Sequence, residues 1–478
     1  MKLKRTYYTL LFLVFPFLSI AQSDYYYYQG EKVYLIPNYQ YVNIVTANAF
    51  DENSISASGV QEFSSHPEKE IRNGEYKKIA KLEFTTTPST QTIYEQKIAE
   101  LKSITNIEGV YPHYVYNGNI IGTNNFFAVK LNQASDITLL QNVALQKNVD
   151  IIRQRTYLPL WYILSTNTST TENSVELSAY FYETGLFDTV EPAFTGAFTI
   201  DPIEENNSSS SAQLELCYDE GNFDTFQWNL FNNEVYPLAD INVCGAWELG
   251  VFGQGVTVAV VDTGIGDEIV DLPASYPSNV IASSGLPFSE NFYYNGTGLG
   301  WHGTAVASII GAKHNGIGMG GIAPDAEMLH VANELLPTFN QVEIADGVDE
   351  AVNRQAGVFN MSFANYGFPS SYLEDALDNA LNNGRQGLGS VLVAASGNDP
   401  NSTVQQPANY SRVLAVGGTT TQGSYNDFNY GNELDISAPS TSIVGLSVDG
   451  SVGNGFVGTS FASPHVAGVA ALMISANT

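Results

Sequence analysis

From about residue 256 the chain alternates short apolar runs with stretches of helical spacing. Val256–Val261, Val358–Met361, Val391–Ala395 and Val413–Val416 are apolar at almost every position, as a strand buried on both faces must be. Around them, residues 304–312, 342–354, 372–383 and 460–475 carry apolar side chains at helical intervals, with glycines at many of the joins. This pattern predicts βαβ units around a doubly wound parallel sheet, an α/β fold. Residues 22–211 read differently. They hold most of the tyrosine clusters and the strand-like run Phe126–Leu131, and predict a separate α+β region. Between the two patterns lie Glu204-Glu205-Asn206-Asn207 and then Ser208–Ser211, a polar stretch with nothing to bury. It predicts an exposed linker and a boundary before residue 212. No internal repeat is visible.

Length and composition fit this division. The 478 residues, 44% hydrophobic and 12% aromatic, suffice for two or more cores. Nineteen basic against 49 acidic residues leave a formal charge of −30, which repels phosphate backbones and excludes nucleic acid as a natural partner. At the N-terminus, Lys2, Lys4 and Arg5 precede an apolar run to Ile20, with small residues at Ser19 and Ala21. The order predicts a secretory signal over residues 1–21, too short and too interrupted by Pro16 to span a bilayer. No later segment predicts stable membrane insertion, and the chain is expected outside the cell. An exported chain with two cysteines, Cys217 and Cys244, is expected to pair them, although spacing leaves open two separate buried thiols.

Three segments carry candidate chemistry. Gly255–Gly264 is an apolar strand ending in Asp262 before a glycine-containing turn, so its carboxylate sits at the strand edge where open α/β sheets build sites. Trp301-His302-Gly303-Thr304 opens a small-residue helical run. Gly458-Thr459-Ser460 opens another, with Pro464 expected in its first turn and His465 expected to pack. Taken singly, Asp262 reads as a capping residue and His302 as a structural histidine. Together they supply an orienting carboxylate, a base and a nucleophile beside a helix N-terminus that favours negative charge.

In that order the three segments resemble the Asp, His and Ser boxes of the subtilisin-like serine proteases (subtilases, peptidase S8). Val391–Asn398 resembles the strand and turn that present the family's oxyanion-hole asparagine. The resemblance covers residues 225–478 and implies a serine endopeptidase acting on protein or peptide substrates. It implies Asp262, His302 and Ser460 as catalytic triad, Asn398 as oxyanion donor, and Ser362, Phe363, Ala364, Ala395, Ser396 and Gly397 as substrate-binding residues. Ala364 stands where the family usually has glycine. It further implies calcium held by Asp271, Lys313, Asn315, Ile317 and Met319, and an N-terminal region, residues 22–211, acting as intramolecular inhibitor. Gln227–Leu230, Asp240–Val243 and Ala246-Trp247 resemble the kexin-like branch, which cuts after basic pairs. Around the first pocket the sequence offers only Asp399 as an acid, so a broad or apolar preference is expected. Family domains continue well past the serine helix, so this one is expected to be truncated at residue 478. The alternative class is a non-catalytic secreted binding protein on a protease-like domain.

Overall fold

The computed structural model describes residues 24–46, 55, 58–65, 69–72, 75–196, 198–199, 227–231, 239–266, 269–273, 280–282, 300–333, 341–365, 369–424 and 428–477. The linker at 204–211 and Cys217 lie outside the described residues.

The N-terminal region opens with the hairpin β1 (Tyr25–Tyr28) and β2 (Glu31–Tyr34). A nine-stranded antiparallel sheet follows, in the order β4-β6-β3-β7-β8-β10-β9, with β11 on β8 and β5 on β6. Its strands are β3 (Ile36–Thr46), β4 (Val60–Ser65), β5 (Lys69–Arg72), β6 (Glu75–Phe84), β7 (Ile107–Tyr116), β8 (Asn119–Leu131), β9 (Val149–Gln154), β10 (Trp161–Thr166) and β11 (Phe187–Gly196). Helices α1 (Gln91–Lys102), α2 (Ile137–Lys147) and α3 (Ser174–Glu183) complete the region. The two-residue period of β8 decides how it packs. Phe127, Val129 and Leu131 meet Leu140, Val143, Leu177 and Phe181 of α2 and α3. Ala128, from the intervening position, joins Trp161, Ile163 and Ala193 on the opposite face, where they enter the core of the C-terminal region. The run Phe126–Leu131 is thus a strand that serves two cores.

A two-residue strand, β12 (Phe198–Thr199), leaves this sheet. Next come α4 (Cys244–Glu248), β13 (Thr257–Asp262), β14 (Val280–Ala282), α5 (Trp301–Gly311), β15 (Glu327–Ala332), α6 (Gln341–Asn353), β16 (Val358–Met361) and β17 (Ala364–Asn365). They are followed by α7 (Ser371–Gly387), β18 (Val391–Ala395), β19 (Leu414–Thr419), β20 (Ile436–Pro439), β21 (Ile443–Leu446), β22 (Val452–Phe456) and α8 (Thr459–Ser475). Seven of these strands form one sheet in the order β14-β15-β13-β16-β18-β19-β20, parallel at every pairing. Val258 and Val260 of β13 face α5 and α8, while Ala259 and Val261 face α6 and α7. This is the doubly wound fold that unbroken apolar strands predict. The order reverses at β13, so its carboxyl end opens a crevice beside β16. Among the described residues no helix is long and apolar enough to cross a membrane.

Three boundaries differ from expectation, each for a local reason. Helix α5 starts at Trp301 because Gly300 turns the chain with φ +95 and its carbonyl accepts from both the Thr304 N–H and hydroxyl, which puts His302 in the first helical turn. Helix α7 is carried to Gly387 through three non-helical residues, Gly384–Gln386. Pro464 is the sixth residue of α8, not a first-turn residue. The Ser460 carbonyl that its missing N–H would have bonded instead accepts the Ser362 hydroxyl at 2.7 Å, and the helix continues.

Candidate active site

Asp262 ends β13, with its carboxylate buried. Oδ1 accepts the Thr263 N–H at 2.7 Å and its hydroxyl at 3.2 Å, and lies 2.8 Å from His302 Nδ1. With Nδ1 donating to a carboxylate, the histidine's Nε2 carries the lone pair. Gly303 permits this approach, because a Cβ there would strike the Gly264 carbonyl. The imidazole is fully buried, 5.3 Å from the Trp301 ring and 5.4 Å from that of Phe461, the neighbour of Ser460.

Ser460 is the second residue of α8, after Gly458 at φ +138. Its Oγ and His302 Nε2 are both buried, and neither has a hydrogen-bond partner among the described residues. The structure thus shows a carboxylate–imidazole bond and no imidazole–hydroxyl bond.

Asn398 follows β18. Its Oδ1 accepts the Thr459 N–H and hydroxyl, both at 2.9 Å, which fixes the carboxamide's orientation. Thr459 Oγ1 also accepts the Gly397 N–H at 3.2 Å. Sequence reasoning missed this positioning role; its only signal was a β-branched hydroxyl residue beside the serine. Ser362 bonds both the Ser460 carbonyl and Ser463 Oγ at 2.7 Å, so its side chain ties β16 to the serine helix. Ala364 pairs through its backbone with Thr199, and Asn365 with Phe198. Its methyl is compatible with a strand lying alongside. Phe363, Ala395, Ser396 and Gly397 are buried around the same carboxyl edges. His465 packs as expected, between the Phe461 carbonyl and Asn229, with burial lowering its pKa to about 4.

The proposed cation loop folds around Asp271. Its Oδ2 accepts the Met319 N–H at 2.9 Å, its backbone carbonyl accepts the Lys313 N–H at 2.8 Å, and Asn315 also bonds its carboxylate. Ile317 joins by donating its N–H to Asn315 Oδ1 at 3.0 Å. Asp271 Oδ1 is buried without a partner, and burial raises the pKa of the group. Gln227, absent from the sequence-derived set, closes the loop through a two-way amide pair with Gly320. The orphaned carboxylate oxygen is a ligand type that suits a hard cation, while the contacts shown on Asp271 are N–H donors. Among the described residues there is no cluster of three acidic, histidine or cysteine side chains. Cys244 is disulfide-bonded.

The profile of the Subtilase family matches residues 253–478. Subtilisin BL of Lederbergia lenta is 35% identical over 247 residues, 51% of this chain and 84% of that protein. The chain belongs to the subtilase family. A thermostable alkaline protease of Halalkalibacterium halodurans is 40% identical over 248 residues, which are 50% of this chain and 62% of that relative; the chain therefore spans less than two thirds of that protein. The solved structure of fervidolysin from Fervidobacterium pennivorans, a keratinolytic enzyme related to subtilisin, superposes with a TM-score of 0.58 at 22% identity. It covers 76% of this chain and 56% of that one, so the likeness in fold reaches beyond the subtilase domain.

Proposed function

We propose that this subtilase is a secreted serine endopeptidase. The observation that carries the reading is the buried 2.8 Å Asp262–His302 bond, set against a serine at a helix start. In this reading Ser460 Oγ attacks the peptide carbonyl, His302 Nε2 takes the proton and returns it to the leaving amine, and water releases the acyl group. Asn398 and the α8 N-terminus stabilise the oxyanion. A serine-directed fluorophosphonate should label the processed protein and fail on Ser460→Ala. Properly folded, processed material that takes no label would leave a binding protein instead. In this reading residues 1–21 serve export, and the primary specificity is broad or apolar.

The N-terminal region acts as the inhibitor in this reading, supported by the antiparallel pairing of β12 with β17 beside Ser362 and Phe363. Cleavage in or just after Ser208–Ser211 is expected, and N-terminal sequencing of secreted material checks it. The docking seam adds a pH dependence. Glu191 of β11 accepts the Ser370 hydroxyl at 2.6 Å and the Tyr372 and Ser371 N–H groups at 2.9 and 3.0 Å. Burial outweighs these bonds and pushes its pKa up to about 7. Glu374 faces it as a second acid, with Tyr26, Tyr28 and Tyr410 nearby, and Arg155 bonds the Tyr372 carbonyl. An undocked Glu191 returns to the ordinary carboxylate range. Docking is then strongest below pH ~4.5, weakens as pH rises through about 7 by at most ~3 kcal/mol, and is flat above. Release of the cleaved N-terminal region, followed from pH 5 to 8.5, should accelerate with pH, and Glu191→Gln should flatten that response.

Calcium, if bound, would be held at Asp271, Asn315 and the 313–319 backbone, where it supplies positive charge to an otherwise unpaired carboxylate oxygen. Added chelator should lower the melting temperature by several degrees, and Asp271→Asn should abolish that response.

A further inference from the structure

We propose that the cavity between α1 and α3 is a cation site whose occupant is the chain's own N-terminal ammonium, freed at Gln22 when residues 1–21 are removed. The inference rests on the export reading of those residues. The cavity encloses about 580 Å³ and is walled by α1, α3, β7 and the start of β1. Asp24, Glu95, Glu176 and Glu183 line it, and Lys102 is the one cation among the described residues that do. Glu183 is already answered: it lies 3.3 Å from the Lys32 ammonium and accepts the Tyr25 and Tyr27 hydroxyls at 2.8 and 2.9 Å. Three carboxylates then share Lys102.

The three crowd one another. Burial raises the Asp24 pKa, the Tyr114 hydroxyl that donates to its Oδ2 at 2.7 Å opposes the rise, and Glu95 adds to it. Burial likewise raises Glu176; the Asn173 N–H opposes this, Asp24 and Glu172 add to it, and Lys102 offsets only part. Neighbouring acids raised in this way are short of positive charge. The aromatic walls favour the same ligand. Tyr25 and Tyr180 line the cavity, and each ring already carries an ammonium, that of Lys32 or Lys147, at 3.8 or 3.9 Å from its centroid.

Chain length decides the occupant. Asp24 lines the cavity itself, and its carbonyl is fixed by the Leu35 N–H at 2.7 Å. Once residues 1–21 leave, only Gln22 and Ser23 precede it, and two residues extend at most about 7 Å. The new ammonium is therefore tethered beside the three carboxylates, at an effective concentration that a free cation does not reach. Before the cut the same nitrogen is a neutral amide and brings no charge, so removal of residues 1–21 completes the cavity. Strand β1 carries the effect onward. Its Tyr28 hydroxyl bonds Glu374 of α7, so the strand that starts at the seated terminus also grips the C-terminal region.

Gln22 supplies its own probe. A neutral α-amine there attacks the Gln22 side-chain carbonyl carbon, closing a lactam and expelling ammonia, which mass spectrometry reads; an ammonium paired with carboxylates does not attack. The test uses the secreted full chain in the Ser460→Ala background at pH ~8, where a free α-amine is about half neutral. Cyclisation in the folded chain should be about tenfold slower, or more, than in the same chain unfolded in urea. Asp24→Asn combined with Glu176→Gln keeps an acceptor for Tyr114 and a capping side chain for α3, and should bring the folded rate to within about twofold of the unfolded one. Four prolines inserted after Gln22, a stiff spacer of about 12 Å, should do the same with the cavity untouched. Equal rates in the folded and unfolded chain overturn the inference alone, as does a rate unmoved in the double variant. A secreted chain that does not begin at Gln22 overturns the cut after residue 21 and this inference with it.

Discussion

Ser460→Ala is expected to lower kcat/KM for peptide hydrolysis on the order of a million-fold while leaving the fold intact. The hydroxyl that is lost makes no hydrogen bond among the described residues, so no packing or network contact goes with it. The neighbouring contacts survive: Thr459 still holds Asn398, and Ser362 still holds the 460 carbonyl. Only the attacking atom is missing. Residual catalysis of some 1,000- to 10,000-fold over water should persist, because the oxyanion donors are untouched. The same variant should accumulate as the uncut chain if N-terminal removal is self-catalysed. Fluorogenic peptide turnover and electrophoresis of the secreted product check both arms. A variant retaining more than about 1% of the activity would remove Ser460 from the role of nucleophile.

What could be read from the sequence follows from how local each signal is. The strands ending in Met361 and Ala395 are visible because burial on both faces forces apolar residues at every position. Asp262 ends such a strand and Asn398 follows one, while His302 and Ser460 stand in the first turns of α5 and α8, where small residues open a helical run. What escaped depends on contacts between distant positions. Thr459 positions Asn398 across 61 residues, and Ser362 reaches Ser460 across 98; nothing in either local segment announces the meeting. Pro464 was expected in the first turn because its tolerance deeper in the helix depends on that same remote hydroxyl. Gln227 reaches the Asp271 loop across 93 residues. Charge is the hardest to place, since arginine reads as surface by default, and Arg153 and Arg155 do not lie there in the same way.

Arg155→Ala is expected to destabilise the docked chain by about 3–5 kcal/mol. Arg155, beyond the end of β9, is 1% exposed, and its Nε donates to Asp349 Oδ2 at 2.5 Å. Its other nitrogens reach the Tyr372 carbonyl at 2.9 Å and the Ala345 carbonyl at 3.5 Å, and the guanidinium lies 4.0 Å from the Tyr372 ring centroid. One side chain from the N-terminal region thus bonds both α6 and α7. Burial raises the Asp349 pKa although Arg155 pulls against it, so desolvation is the larger influence and the pair is costly to assemble. Removing the arginine leaves Asp349 buried with Asn379 as its one remaining donor in the bonds described. The loss should therefore exceed that of the nearby Arg153–Asp346 pair, whose arginine side chain is 38% exposed. Arg155→Lys should recover little, because a point ammonium cannot bond two helices and stack on Tyr372 together. Arg155→Met combined with Asp349→Asn removes both charges yet keeps an acceptor for Asn379, and should regain more than half of the loss. Urea unfolding of the uncut chain in the Ser460→Ala background measures all four. A cost below about 1 kcal/mol for Arg155→Ala would mean that the N-terminal sheet is held to α6 and α7 by its apolar face alone, through Ala128, Trp161 and Ile163.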